Sequence, residues 1–203
     1  MKKVKWISVL ILAIMILQTL LPIIAIAEAS ITTAIYEIYT IDDLVALSAS
    51  VNSGNSYKGR TVKLMDNLDF QDMKSYANSS LMDNLTRGDG FIPIGNKDSI
   101  FKGTFDGQGF EIKNLYINSK ENYVGLFGYL DGATIKNLRI SGSIVGCDYE
   151  SQEKDFSCHR YIGGIVGYSV NSYIEKCSNK CDVQGKGSRG SMSFVGRYFW
   201  TVR

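Results

Sequence analysis

The chain has 203 residues, 45% of them hydrophobic, 21% charged and only 2 of them proline, which excludes both a disordered chain and a disulfide miniprotein. All 20 glycines lie after residue 30, alongside 12 tyrosines and 9 phenylalanines, a mixture suited to short strands and tight turns. One histidine and a net charge of +2 leave little catalytic inventory and no basic footprint for nucleic acid.

Lys2, Lys3 and Lys5 precede an apolar run from Trp6 to Ala27, closed by the small residues around Ala25, Ala27 and Ala29. That order predicts a secretory signal peptide over 1–29. A retained membrane anchor is the competing reading, and Gln18, Thr19 and Pro22 interrupt it. Removing the signal takes away three lysines and Glu28, so the exported domain carries no net charge.

Thr40-Ile41-Asp42-Asp43-Leu44 offers a capping box, and Leu44, Leu47 and Val51 follow at helical spacing, predicting a helix over 41–52 that ends at Asn52-Ser53-Gly54-Asn55. Thr61-Val62-Lys63-Leu64 alternates as the first strand, and residues 30–100 read as an N-terminal cap with the first coil or coils. Asp66, Asp69, Asp72 and Asp106 are the acids a carbohydrate enzyme would use for calcium or acid–base work. Their turn contexts, Asp66-Asn67-Leu68-Asp69 and Asp106-Gly107, account for them without catalysis.

Residues 101–196 repeat. Ile112-Lys113-Asn114-Leu115-Tyr116-Ile117 recurs 23 residues on as Ile135-Lys136-Asn137-Leu138-Arg139-Ile140. A second register, offset by 39, lays Gly125-Leu126-Phe127-Gly128-Tyr129 on Gly164-Ile165-Val166-Gly167-Tyr168 and runs unbroken to Gly146 on Gly185. A polar insertion from Cys147 to Arg160 accounts for the excess and reads as a loop. A third copy begins at Phe194-Val195-Gly196, and 197–203 form a truncated end. The alternation breaks at Lys136-Asn137, as in a strand turning a corner on a left-handed asparagine.

No segment has the helical periodicity of a crossover helix, so the fold expectation is all-β. Coils of about 20 to 25 residues point to a right-handed parallel β-helix, a solenoid with a short N-terminal capping helix. A propeller or sandwich is the alternative.

Cys147, Cys158, Cys177 and Cys181 could pair in three ways outside the cell. A 147–158 bridge would be worth roughly 3 kcal/mol in the loop-entropy model, whereas 177 and 181 would stand about 13 Å apart on one extended strand. Their spacing lacks the two close pairs of a structural zinc site. His159 is the sole histidine, so no zinc-protease helix exists, and beside Cys158 it reads as a solvated loop residue and not as a thiol hydrolase's base. Gly185-Lys186-Gly187-Ser188-Arg189-Gly190 matches a dinucleotide fingerprint in letters only, because no helix follows. Asn78-Ser79-Ser80 and Asn84-Leu85-Thr86 match glycosylation acceptors in what reads as a polar loop. Tyr57, Tyr116, Tyr123, Tyr129, Tyr168 and Tyr173 could serve sugar faces or strand packing, with a column expected at Tyr129 and Tyr168.

With these residues in view, the chain resembles bacterial exported proteins carrying GLUG motifs, repeats with a Gly-Leu-any-Gly core. Gly125-Leu126-Phe127-Gly128 and Gly164-Ile165-Val166-Gly167 carry the core, and Tyr39 to Leu47, Asn52 to Gly59, Leu64 to Phe70, Pro93-Ile94-Gly95 and Phe101 to Gly109 resemble the segment that leads into it. The likeness covers nearly all of 36–185. Such repeats also occur in amino-terminal regions of immunoglobulin-A-cleaving metalloendopeptidases, outside the protease domain. The resemblance implies surface display or binding, and the residues themselves point to no cofactor, metal or catalytic residue. Ser193 stands where the third motif's first glycine is expected, which with the short end implies a truncated member or a fragment.

The functional expectation is a non-enzymatic secreted or cell-surface repeat protein. Its partners would be cell-wall or host glycans or another surface protein, with no nucleic acid, and with membrane contact only through an uncleaved signal segment. The alternative is a β-helical polysaccharide lyase or hydrolase.

Overall fold

The computed structural model describes residues 35–71, 90–147, 159–186, 192–196 and 201–202. Residues 1–29, expected as a signal peptide, together with Asp72, Asn78, Asn84, Cys158 and most of the polar insertion, lie outside the described residues.

The chain enters as β1 (Ile35–Ile38), then α1 (Ile41–Asn52), β2 (Thr61–Leu64) and β3 (Leu68–Asp69). β4 (Thr104–Asp106), β5 (Glu111–Ser119), β6 (Tyr123–Val124) and β7 (Phe127–Asp131) form one tier. β8 (Thr134–Lys136), β9 (Arg139–Cys147), β10 (His159–Gly163) and β11 (Val166–Val170) form the next, and β12 (Tyr173–Glu175), β13 (Ser178–Lys186), β14 (Met192–Gly196) and β15 (Thr201–Val202) the last.

The architecture is all-β with one helix among the described residues, and every pairing between named strands is parallel. The four sheets run β1-β2-β4-β8-β12, β3-β5-β9-β13, β6-β10-β14 and β7-β11-β15. Following the chain from β4, each tier visits the four sheets in the same order. Apolar residues therefore stack on their counterparts: Val62, Phe105 and Ile135 align in the first sheet, and Leu68, Ile112 and Ile140 in the second, all buried. Phe127 fills the space between, 5.4 Å from the ring of Phe101 and 5.3 Å from that of Phe105.

The register of 39 holds from Phe127 on Val166 to Cys147 on Lys186: Tyr129 pairs with Tyr168, Ile135 with Ile174, Ile144 with Val183 and Gly146 with Gly185. The recurrence at 23 does not set the pairing, because Ile112 pairs with Ile140 while Ile135 pairs with Phe105. Coils of 20 to 25 residues are thus too short. What recurs at 23 is a backbone conformation: Asn114 and Asn137 both adopt the left-handed region, at φ 54° and 53°, one inside a bulge of β5 and the other at the corner from β8 to β9.

These asparagines also tie the tiers together. Asn114 Nδ2 donates to Asp69 at 2.7 Å, Asn137 Nδ2 to Asp106 at 3.0 Å, and Asn171, at φ 50°, to Asp131 at 3.5 Å. In each case the acceptor stands in register with the residue just before the asparagine: Lys113, Lys136 and Val170 respectively. A left-handed corner swings the amide back toward the preceding tier, and aspartate is short enough to meet it.

Helix α1 forms as its sequence dictates. Thr40 Oγ1 accepts from Asp43 N at 3.2 Å and Asp43 Oδ2 accepts from Thr40 N at 2.9 Å, closing the capping box. Ile41, Leu44, Leu47 and Val51 are buried. Strand β1, which precedes the helix and pairs with β2, makes Thr61–Leu64 the second strand and not the first. The expected loop is also shorter than 147–160, because Cys147 ends β9 while His159 and Arg160 open β10, with Arg160 buried. His159 is accordingly a strand residue.

Candidate functional site

Two glycine corners organise the most distinctive surface. Between β6 and β7 the chain bends through Gly125-Leu126-Phe127-Gly128, burying Leu126 and Phe127; between β10 and β11 it bends through Gly164-Ile165-Val166-Gly167, burying Ile165 and Val166. The corners bond directly, Leu126 N to Gly164 O at 3.0 Å and Phe127 N to Ile165 O at 2.9 Å. Backbones this close exclude side chains. A Cβ on Gly128 would run into the carbonyl of Gly95, and one on Gly167 would lie 2.6 Å from Val124 N.

Each corner carries a tyrosine before it and one after it. Tyr123 pairs with Tyr161 and Tyr129 with Tyr168, and the sharp bend brings the two pairs together. Ring centroids lie 5.0 Å apart for Tyr129 and Tyr168, 5.0 Å for Tyr161 and Tyr168, and 5.1 Å for Tyr123 and Tyr129. Tyr123 and Tyr161 stack, 5.8 Å apart with an interplanar angle of 14°. All four are half-buried. Burial, then the neighbouring phenols, raises the pKa of Tyr123 and Tyr129, so both are neutral donors at physiological pH.

Beside Tyr123 lies a cleft of about 550 Å³ between residues 92–99 and 121–123. Its 92–99 wall is held from behind by α1: Ser48 Oγ donates to Ile92 O at 2.8 Å, Asn52 Nδ2 donates to Pro93 O at 3.0 Å, and Gly95 N donates to Asn52 Oδ1 at 3.0 Å. Asn96 Oδ1 accepts from Asp98 N and Ser99 N, both at 2.9 Å, closing a tight turn. Ile94 is sewn to the first corner, donating to Leu126 O and accepting from Gly128 N. Asn52, Asn96 and Ser99 are thus frame, while Ile92, Lys97, Asp98, Glu121 and Asn122 are exposed on the cleft.

The expected column at Tyr129 and Tyr168 is present, and Tyr123 joins it. Tyr57, Tyr116 and Tyr173 do not build this face. Tyr57 is buried against Tyr36 and Phe101, Tyr116 stands in β5 beside Gly90, and Tyr173 is exposed on β12. Tyr161 escaped the sequence reading because it pairs with Tyr123 at an offset of 38, one residue out of the register of 39. Asp98, Glu121 and Asn122 escaped it too, for want of any local signature.

Of the acids singled out for catalysis, the three within the described residues serve turns. Asp66 Oδ1 accepts from Asn67 N at 2.7 Å, Asp69 Oδ1 from Gln71 N at 3.0 Å, and Asp106 Oδ1 from Gln108 N at 3.0 Å. Among the described residues no group of three His, Cys, Asp or Glu side chains could hold a metal, and no helix is long and apolar enough to cross a membrane. Cys177 and Cys181 are free thiols, and burial raises both, Cys181 to about 12. Ser193 does not take the place expected of the third motif's first glycine, because it pairs with Arg160 while Gly196 pairs with Gly163. Gly185 and Lys186 of the fingerprint-like run are paired strand residues opposite Gly146 and Cys147.

Comparison with known proteins adds two partial likenesses. The chain is 34% identical over 114 residues, 51% of its length, to halomucin of Haloquadratum walsbyi. Over 60 residues, 29% of its length, it is 35% identical to a protein of Evansella cellulosilytica described as a Gly-rich membrane protein. It spans about 1% of the first and 7% of the second. No family model matches the chain, and no solved structure does.

Proposed function

We propose that this chain is a non-enzymatic secreted or cell-surface repeat protein that presents a binding surface, for a cell-wall polymer, a host glycan or another surface protein. The observation that carries the reading is the four-tyrosine face, which two glycine corners hold beside a polar cleft. The parallel sheets visited in constant order support a right-handed parallel β-helix with α1 as its N-terminal cap, right-handedness being the rule for parallel crossovers. Gly-x-x-Gly corners stacked on one another favour kinship with GLUG-motif proteins. Partial likeness to halomucin and to a membrane protein favours an exported location, with any membrane contact made through an uncleaved signal segment.

A polysaccharide lyase or hydrolase is the alternative: Asp66, Asp69 and Asp106 are occupied in turns, which leaves Asp98 and Glu121, both on the cleft, as the acids such an enzyme would use. The test is to expose the exported protein to a glycan array and to isolated cell walls, and to assay a polysaccharide panel for new reducing ends or unsaturated products. Retention without products is expected. Product release on any polysaccharide overturns the non-enzymatic reading, and absence of binding to walls, glycans and surface proteins overturns the display reading.

A further inference from the structure

We propose that the cleft formed by residues 92–99 and 121–123, with Tyr123 as its aromatic wall, binds an uncharged oligosaccharide of hexose or N-acetylhexosamine units. This rests on the binding-surface reading above and gives it a place and a ligand class.

Four features converge. Its volume of about 550 Å³ falls in the range of small-molecule sites, roughly 300–1,000 Å³. Tyr123, which lines the cleft, is fixed in orientation by stacking on Tyr161 and by contacts with Tyr129 and Tyr168, so little ordering of the ring is left to do on binding. The C–H face of a pyranose is apolar and suits such a ring, and Ile92, 53% exposed on the opposite wall, suits the methyl of an N-acetyl group.

The polar groups are also of the required kind. The Asp98 and Glu121 carboxylates accept from sugar hydroxyls in pairs, and the Asn122 amide both donates and accepts. The side chains that could have collapsed into the cleft, Asn52, Asn96 and Ser99, are tied into its frame. Finally, the charges select. The lining carries one lysine, Lys97, and two carboxylates, a balance that disfavours uronates, sulfated sugars and phosphate chains.

The test is titration of the exported protein with the tetramers of N-acetylglucosamine, glucose and galacturonate, followed by tyrosine fluorescence and by calorimetry. An uncharged tetramer should bind and the galacturonate should not. Tyr123→Ala should weaken binding about tenfold, Glu121→Gln a few-fold, and Tyr173→Ala, on β12, not at all. Circular dichroism checks each fold. If Tyr123→Ala fails to fold, Glu121→Gln and Asn122→Ala, both exposed, carry the test. Binding that survives these substitutions overturns this site while leaving the display reading intact. Preference for galacturonate overturns the ligand class, and failure of both uncharged tetramers on a protein that retains cell walls or a surface protein overturns the inference alone. Failure on every ligand overturns both.

Discussion

Residues 134–147 and 173–186 build the same pair of strands one tier apart, yet the two differ in what lies on either side. Ile135 is sandwiched between Phe105 and Ile174 and is fully buried; Ile174, its counterpart, pairs on one side only among the described residues and is half-buried. The inner corner uses Asn137 with a carboxylate to meet it, whereas the outer uses Lys176 at φ 52°. Backbone geometry is therefore copied from tier to tier even where the side chains that favour it are not. Stacking on a formed tier is sufficient to impose a conformation that costs a lysine about 1–2 kcal/mol.

The largest test of that contrast is truncation of the two isoleucines. Ile135→Ala should cost about 3 kcal/mol by leaving a cavity under a tier that cannot collapse, and Ile174→Ala less than half as much. Urea midpoints at constant slope measure both. Equal costs would mean that the outer tier is as well covered as the inner.

The corner comes next. Asn137→Ala places a Cβ-bearing residue without a polar side chain in the left-handed region and removes the donor to Asp106, for a loss of about 2 kcal/mol. Lys176→Ala should change stability by under about 0.5 kcal/mol, since one strained residue replaces another.

This corner was legible in the sequence because the apolar alternation breaks at Lys136-Asn137, and α1 was legible because Thr40 and Asp43 announce it. Both signals are local, and so is what they encode. The same locality explains the error at 23 residues: Ile-Lys-Asn-Leu specifies an asparagine-centred bend wherever it occurs, in β5 or at the end of β8, and says nothing of which strand pairs with which. The register of 39 could be read because it runs through corner, strand and glycine without a gap, so that neighbours of quite different character agree. The cleft had no such marker. Asp98 and Glu121 come from loops whose meeting depends on α1 holding residues 92–95 from behind, a relation between positions more than forty residues apart. Strand β1 was missed because four residues preceding a helix show too little alternation to stand out.

Acid should expose the carboxylate half of the corner device. At Asp106 burial pushes the pKa up, but the Asn137 amide, the Gln108 N–H and the Lys136 ammonium, 3.5 Å away, outweigh it and leave the pKa lowered. Asp69 is lowered chiefly by Asn114, and Asp131 chiefly by Lys102 at 2.9 Å. A folded pKa below the unfolded value gives stability that is complete above that value, about 3.9, and is lost as pH falls through the folded pKa. Stability should be level from pH 8 to 5 and fall below about pH 4. Asp106→Asn should be less stable at neutral pH and show a shallower acid slope, which thermal unfolding across that range will reveal.

The smallest effect sharpens the comparison most. Lys176→Asn should stabilise by about 0.5 kcal/mol, because asparagine tolerates the left-handed region better than lysine. The gain should stop there. At the other corners the asparagine donates to an aspartate in register with the residue before it; here that residue is Glu175, whose partner is Lys136. With no carboxylate within the pattern, the stabilisation should be the same at pH 3.5 and pH 7, in contrast to the Asn137–Asp106 pair. A gain that vanished in acid would mean that the new amide had found an acceptor outside the tier-to-tier rule, and the conformational preference alone would then be too weak to account for the asparagines at these corners.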